Sequence, residues 1–131
     1  MNIKMINNFL IISFIGKNDK LGLRINKDFF IHKFDLEKKN NENLVYEISN
    51  FLNTHNAIID SKFSILINQG PGSFSSTRIS LAVAKGLKIS RNVRIFGYQN
   101  KDLKDFNQKN IENLFKKNLI EKKLIKAIYL S

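Results

Sequence analysis

The run QGPGSFSSTR at residues 69–78 joins two stretches with different hydrophobic periods. Before it stands FSILIN, a continuous apolar block of strand length; after it comes ISLAVAKGLKIS, whose apolar residues recur at helical spacing. A strand must therefore become a helix within a few residues, and the chain's one proline and two of its six glycines sit at that corner. Such a junction can offer backbone N–H groups to an anion at a helix N-terminus, or expose a nucleophile on a tight turn. The Gly-Lys-Ser/Thr ending of a Walker loop is missing, however, and Ser75 stands where a nucleophile elbow needs its second glycine. The plainest reading is a structural corner with Ser75 or Ser76 capping the helix.

The rest of the chain supplies the elements around this corner. NNFLIISFI (7–15) is apolar and β-branched, LGLRI (21–25) alternates after the turn-like GKND, and FFIHKF (29–34) follows a short NKD connection. These three runs predict an antiparallel meander. The period then changes: Leu44, Val45, Ile48, Phe51 and Leu52 mark one face of a helix over 41–53, with Asn40 or Asn41 as N-cap. KFSILIN (62–68) reads as a strand covered on both faces. Ile79, Ala82, Val83, Gly86 and Leu87 give a second helical stripe, widened by Leu81 and Ala84, and VRIFGY (93–98) gives a fifth strand. Ile111, Leu114, Phe115 and Leu119 predict a last helix, with Ile120, Leu124 and Ile125 continuing its apolar positions, and KAIYLS closes the chain as an extended segment. The order β-β-β-α-β-α-β-α describes an α/β domain with a mixed five-stranded sheet flanked by helices.

Composition narrows the function classes. With 131 residues the chain suits one domain, and the absence of cysteine excludes a disulfide framework or thiolate metal site. Lys4 precedes FLIISFI, but that run is too short to span a bilayer and no cleavage site follows, so the protein is expected in the cytoplasm and off the membrane. The net charge of +11 would attract nucleic acid. The lysines are nonetheless dispersed, and the abundance of Lys, Asn and Ile offers a purely compositional origin. His32 and His55 lie far apart in sequence without metal-ligand spacing, and Asp19, Asp28 and Asp35 lie in or beside turns. No catalytic constellation and no metal site emerge from the residues.

The stretch GPGSFSSTRISLAVAKGLKI (70–89) resembles the signature of the bacterial TsaB family, proteins of tRNA threonylcarbamoyladenosine biosynthesis. In that family it runs Gly-Pro-Gly-Ser-Phe-Thr-Gly-x-Arg-Ile-Gly, followed by a small-residue helix containing Ala-Lys-Gly-Leu. Gly70, Pro71, Gly72, Ser73, Phe74, Arg78, Ile79, Ala84, Lys85, Gly86 and Leu87 match in register. RIFGY resembles the family's next strand, and AIYLS its tyrosine-leucine ending. The resemblance implies one half of an actin-like, ribonuclease H-like ATPase fold. It also implies a non-catalytic subunit whose N-terminal helices pack against those of a related catalytic subunit, TsaD. With TsaE and ATP, that assembly transfers a threonylcarbamoyl group to the adenosine beside the tRNA anticodon.

Departures from the family pattern sharpen these expectations. Where the family's first strand ends in Asp-Thr-Ser-Thr, this chain has Ser13, Phe14, Ile15 and Gly16, and Ser75-Ser76 replaces Thr-Gly in the signature. NNEN stands in place of the histidine-serine-glutamate opening of the first helix. The length fits a member shortened to its N-terminal half: a TsaB-like α/β domain over 1–100 and a C-terminal helical segment over 101–131 packing on it. Lacking the nucleotide-site acid and a second half-domain, this chain is expected to bind no cofactor itself, ATP being used by the complex.

Three functions follow. The first is a non-catalytic partner of a TsaD-like enzyme, with a TsaE-like ATPase and tRNA met through the complex and a homodimer open to the chain when alone. Its interface would be formed by Leu44, Ile48 and Phe51 on one helix and Ile79, Ala82, Val83 and Gly86 on the other, aimed by the signature loop Gly70, Pro71, Gly72, Ser73, Phe74 and Arg78. The second is a basic tRNA-binding accessory module. The third, a nucleotide hydrolase or peptidase, lacks a visible nucleophile–base pair or acidic metal site.

Overall fold

A computed structural model describes residues 8–34, 44–123 and 125–129. The apolar run near the N-terminus forms β1 (Phe9–Ser13), buried along its whole length at the centre of the sheet. It pairs antiparallel with β2 (Lys20–Ile25), which pairs antiparallel with β3 (Asp28–Lys33), giving the expected meander. Asn26 and Lys27, at φ 51° and 76°, form the two-residue turn between β2 and β3. Positive φ at both central positions matches the right-handed twist of the flanking strands. On its other side β1 pairs in parallel with β4 (Ser64–Asn68), and β4 with β5 (Arg94–Tyr98), so the sheet order is β3-β2-β1-β4-β5. The helices are α1 (Leu44–Thr54), α2 (Phe74–Arg91) and α3 (Gln108–Lys116). The mixed five-stranded α/β order read from the sequence is the order observed; the Asn40 or Asn41 cap lies outside the described residues.

Strand alternation assigns each side chain to a layer. Leu10, Ile12, Ile65, Ile67 and Ile95 point to the side covered by α1 and α2, where they meet Leu44, Ile48, Phe51 and Ala84. Phe9, Ile11, Leu66, Phe96 and Tyr98 point the other way and are covered by Leu103, Ile111, Leu114 and Phe115. The central strands are apolar throughout because both their faces are buried. Residues 101–120 are therefore part of the same packing unit: α3 and the approach to it form the third layer.

Each of the three α-helices among the described residues stops at an asparagine in the left-handed conformation. After α1, Asn56 has φ 53°, with Ala57 N donating to Leu52 O and Asn56 N to Asn53 O. After α3, Asn118 repeats this with φ 54°, Leu119 N donating to Leu114 O and Asn118 N to Phe115 O. Both are Schellman endings, with asparagine where glycine is more usual. Asn92 ends α2 with φ 56° and its N–H on Lys88 O. The ending at Asn118 corrects one expectation: Leu119, Ile120 and Ile125 do not continue α3, and Leu124 lies outside the described residues. The chain instead turns back beside β5, where Gly97 and Glu121 exchange backbone hydrogen bonds of 2.9 and 2.8 Å.

Candidate functional site

The corner between β4 and α2 is held from three directions. Asn68 Oδ1 accepts from Gly70 N at 2.9 Å, Ser73 N donates to Ile15 O at 2.8 Å, and Gly72 N donates to Ile128 O at 3.1 Å. Gly70 has φ +102°, and a Cβ there would run into the Ile128 carbonyl oxygen. A Cβ on Gly72 would lie 2.5 Å from Ile15 Cβ. Both signature glycines are thus required by close backbone approach, one to the C-terminal segment and one to the extension of β1.

Ser73 is the N-cap of α2. Its backbone is extended, and its Oγ accepts from Ser76 N at 3.2 Å. The expected cap at Ser75 or Ser76 is therefore displaced to Ser73, because the helix already begins at Phe74; Ser76 lies buried on the helix underside. Phe74 projects outward, its ring 4.8 Å from that of Tyr129, with the Arg78 guanidinium 4.8 Å from its centroid. The signature arginine is thus engaged on an aromatic face. Asp19 is also structural: its carboxylate accepts from Ile15 N at 2.9 Å and Gly16 N at 3.1 Å, closing the β1–β2 turn. Burial raises its pKa against the lowering effect of those bonds.

The helical interface candidates divide. Leu44, Ile48 and Phe51 are buried beneath α1 in the chain's own core. They hold α1 to the sheet, and the outward positions of that helix are Val45 and Tyr46 instead. On α2 the side facing the sheet is small and polar, with Ser76, Thr77, Ser80 and Ala84 buried. This lets the helix approach closely and leaves the apolar stripe on its flanks, where Ile79, Leu81, Val83 and Leu87 still pack against the core. Ala82 and Gly86 are exposed, Ile79 and Val83 half-buried on the flank. Ile89 continues the stripe at 87% exposure, and Ile58, after α1, is 78% exposed. A groove of about 400 Å³ between the helices is lined by Val45, Leu52, Ile58 and Leu87 among others. A Cβ on Gly86 would meet nothing within 4 Å. Sequence reasoning missed Ile89, although its spacing three residues after Gly86 was legible. It also missed Ile58, which follows the helix end and carries no periodic signal.

The two histidines, distant in sequence, enter one aromatic cluster. His55 stacks on Phe30 with centroids 3.8 Å apart and packs edge-on to Phe51; His32 lies 5.7 Å from Phe51. His32 Nε2 is 2.8 Å from Glu47 Oε2, linking β3 to α1. Among the described residues no group of acidic or histidine side chains could hold a metal ion, and no helix is long and apolar enough to cross a membrane.

Neither protein-family models nor curated proteins give a match to this chain. Solved structures do. YeaZ from Pseudomonas aeruginosa superposes with a TM-score of 0.64 at 18% identity, over 75% of this chain and 45% of that one. A second structure is described as an uncharacterized protein with similarity to peptidase YeaZ from Pseudomonas aeruginosa. It has the same TM-score of 0.64 and 18% identity, and 44% of it is covered. This chain shares the fold of the matched region and spans less than half the length of either structure.

Proposed function

We propose that this chain is a TsaB-like, non-catalytic subunit that docks on a TsaD-like enzyme and supports threonylcarbamoyladenosine modification of tRNA. Two independent lines support this reading: the signature-like stretch at 70–89 and the shared fold with YeaZ. The observation that carries the docking role is the exposed side of α2, where Ala82, Gly86 and Ile89 lie. A glycine within a helix costs about 1 kcal/mol relative to alanine, and the open space around Gly86 gives no reason for it within this chain. Close approach by a partner helix would use that bare backbone. The interface assigned to α1 shifts accordingly from Leu44, Ile48 and Phe51 to Val45 and Tyr46, with Ile58 beside them.

The test is co-expression with the TsaD-like protein of the same organism. A stable heterodimer in size-exclusion chromatography is expected, together with threonylcarbamoyl transfer in a reconstituted reaction containing ATP and a TsaE-like protein. Separate elution at micromolar concentration, with transfer unaffected by Ala82→Arg, would overturn the proposal. The +11 charge favours a second reading, an accessory surface for tRNA. It predicts affinity for tRNA by the isolated chain that falls steeply with salt.

A further inference from the structure

Helix α2 carries four cations, Arg78, Lys85, Lys88 and Arg91, and no carboxylate. Lys88 and Arg91 lie in its last turn, where positive charge complements the helix dipole. Arg78 and Lys85 have no such reason to be there. Residues 78, 82, 85 and 89 follow the i, i+4, i+7, i+11 spacing of one helix ridge, and Arg78, Ala82, Lys85 and Ile89 are all exposed. The outer side of α2 therefore presents a cation, a small residue, a second cation and an isoleucine in one line. The Arg78 guanidinium rests on the exposed Phe74 ring, and neither cation is ion-paired among the described residues.

The neighbouring helix does not balance this charge. Glu47 is the only carboxylate of α1, and it is tied to His32 Nε2 at 2.8 Å. Beyond the groove, Asp60 accepts from the amide of Lys62 and closes its own loop. Helix α3 provides the contrast. Lys109 and Lys116 repeat the spacing of Arg78 and Lys85, yet Glu112 stands between them and α3 exposes no large apolar residue. On the α1–α2 layer the cations lie among exposed apolar residues, namely Ile89, Ile58, Val45 and Tyr46. A protein surface covers such side chains with profit, whereas a nucleic-acid backbone contacts cations and polar groups.

We infer that the helix docking on α2 is acidic where it crosses this ridge, presenting carboxylates about one heptad apart to Arg78 and Lys85. The inference rests on the docking reading above and adds the chemistry of the partner. Packing at a small crossing angle keeps two helices in contact over successive heptads, so positions seven apart on one face positions seven apart on the other. Carboxylates there pair with the two cations, whereas an apolar or basic surface would bury them uncompensated. A second copy of this chain is thereby disfavoured. Two α2 ridges in antiparallel contact would set Arg78 of each against Lys85 of the other.

The test is calorimetric titration of the full chain with the TsaD-like protein of the same organism at low and high salt. The parent is expected to bind, with affinity falling as salt rises, and Arg78→Glu/Lys85→Glu to bind about tenfold or more weakly. Lys109→Glu/Lys116→Glu, the same charge change at the same spacing on α3, should bind as the parent does. The parent alone should sediment as a monomer at low salt. Equal affinity of the parent and the α2 variant would overturn the inference while leaving docking intact. Equal losses in the two variants, with circular dichroism confirming both folds, would reduce the effect to net charge and overturn it as well. No binding by the folded parent would overturn the docking reading itself, and the inference with it. A low-salt dimer of the parent that Ala82→Arg dissociates would overturn the exclusion of a second copy. Loss of tRNA binding but not of protein binding in the α2 variant would overturn the acidic helix in favour of RNA.

Discussion

The backbone amide of Ser73 donates to the carbonyl of Ile15 across 2.8 Å, which pins the start of α2 to the extension of the first strand. That bond, with the Ser73 cap, sets the direction in which α2 leaves the sheet.

Ser73→Ala should lower stability by about 1 kcal/mol, the usual loss for an N-cap serine. Ser73→Asp should recover most of it, since a carboxylate can also accept from the N–H of residue 76 and suits a helix N-terminus. Thermal melting separates the pair. If Ser73 were instead a nucleophile, both variants would lose function alike, with no rescue by aspartate.

Gly70→Ala should cost about 2 kcal/mol or more, because φ of +102° strains an L-residue and the new Cβ meets the Ile128 carbonyl. The urea midpoint should fall clearly. An unchanged midpoint would show that the C-terminal segment does not press on this corner.

Gly86→Ala should raise stability by about 0.5–1 kcal/mol, because helix propensity improves and the methyl meets nothing. Gly86→Arg should likewise leave the isolated fold intact, yet abolish co-elution with a TsaD-like partner if α2 docks as proposed. Retained co-elution would move the interface elsewhere.

Burial of Tyr98 raises its pKa well above the ordinary tyrosine value, against weaker lowering contributions from Ser13 and Asn68. Its neutral form is favoured in the folded state, so the associated stability is fully present below the unfolded value of about 10 and is lost as pH rises beyond it. In an alkaline titration, the tyrosinate absorbance assigned to Tyr98 by difference from Tyr98→Phe should appear together with unfolding. Its appearance near pH 10 in a still-folded chain would contradict the buried placement.

Much of the architecture was legible because period and punctuation agree. FLIIS and SILIN are too uniformly apolar for a half-exposed strand, and the structure covers both their faces. The C-terminal region was harder to read. Leu119, Ile120 and Ile125 keep helical spacing, but Asn118 adopts a left-handed conformation and the chain folds back onto β5. Asparagine is so common here that its presence does not mark which one will stop a helix. The docking candidates show the same division. Period places Ile79, Ala82, Val83 and Gly86 together, yet cannot say which side of α2 meets the sheet, and the small, polar Ser76, Ser80 and Ala84 side does. For α1 the most regular stripe is the buried one, so Leu44, Ile48 and Phe51 are core.

The order of strands and helices, the corner at Gly70–Ser73 and the lack of cysteine follow from local period, turn chemistry and composition. Only packing settles which sides of α1 and α2 are left exposed and which residues close the third layer. It also brought Ser13, Asn68 and Tyr98 together, although 85 positions separate the first from the last. The reason is physical: hydrophobic spacing records that a residue will be buried or exposed against something, whereas the partner is fixed only when the strands pair and their ends come into line.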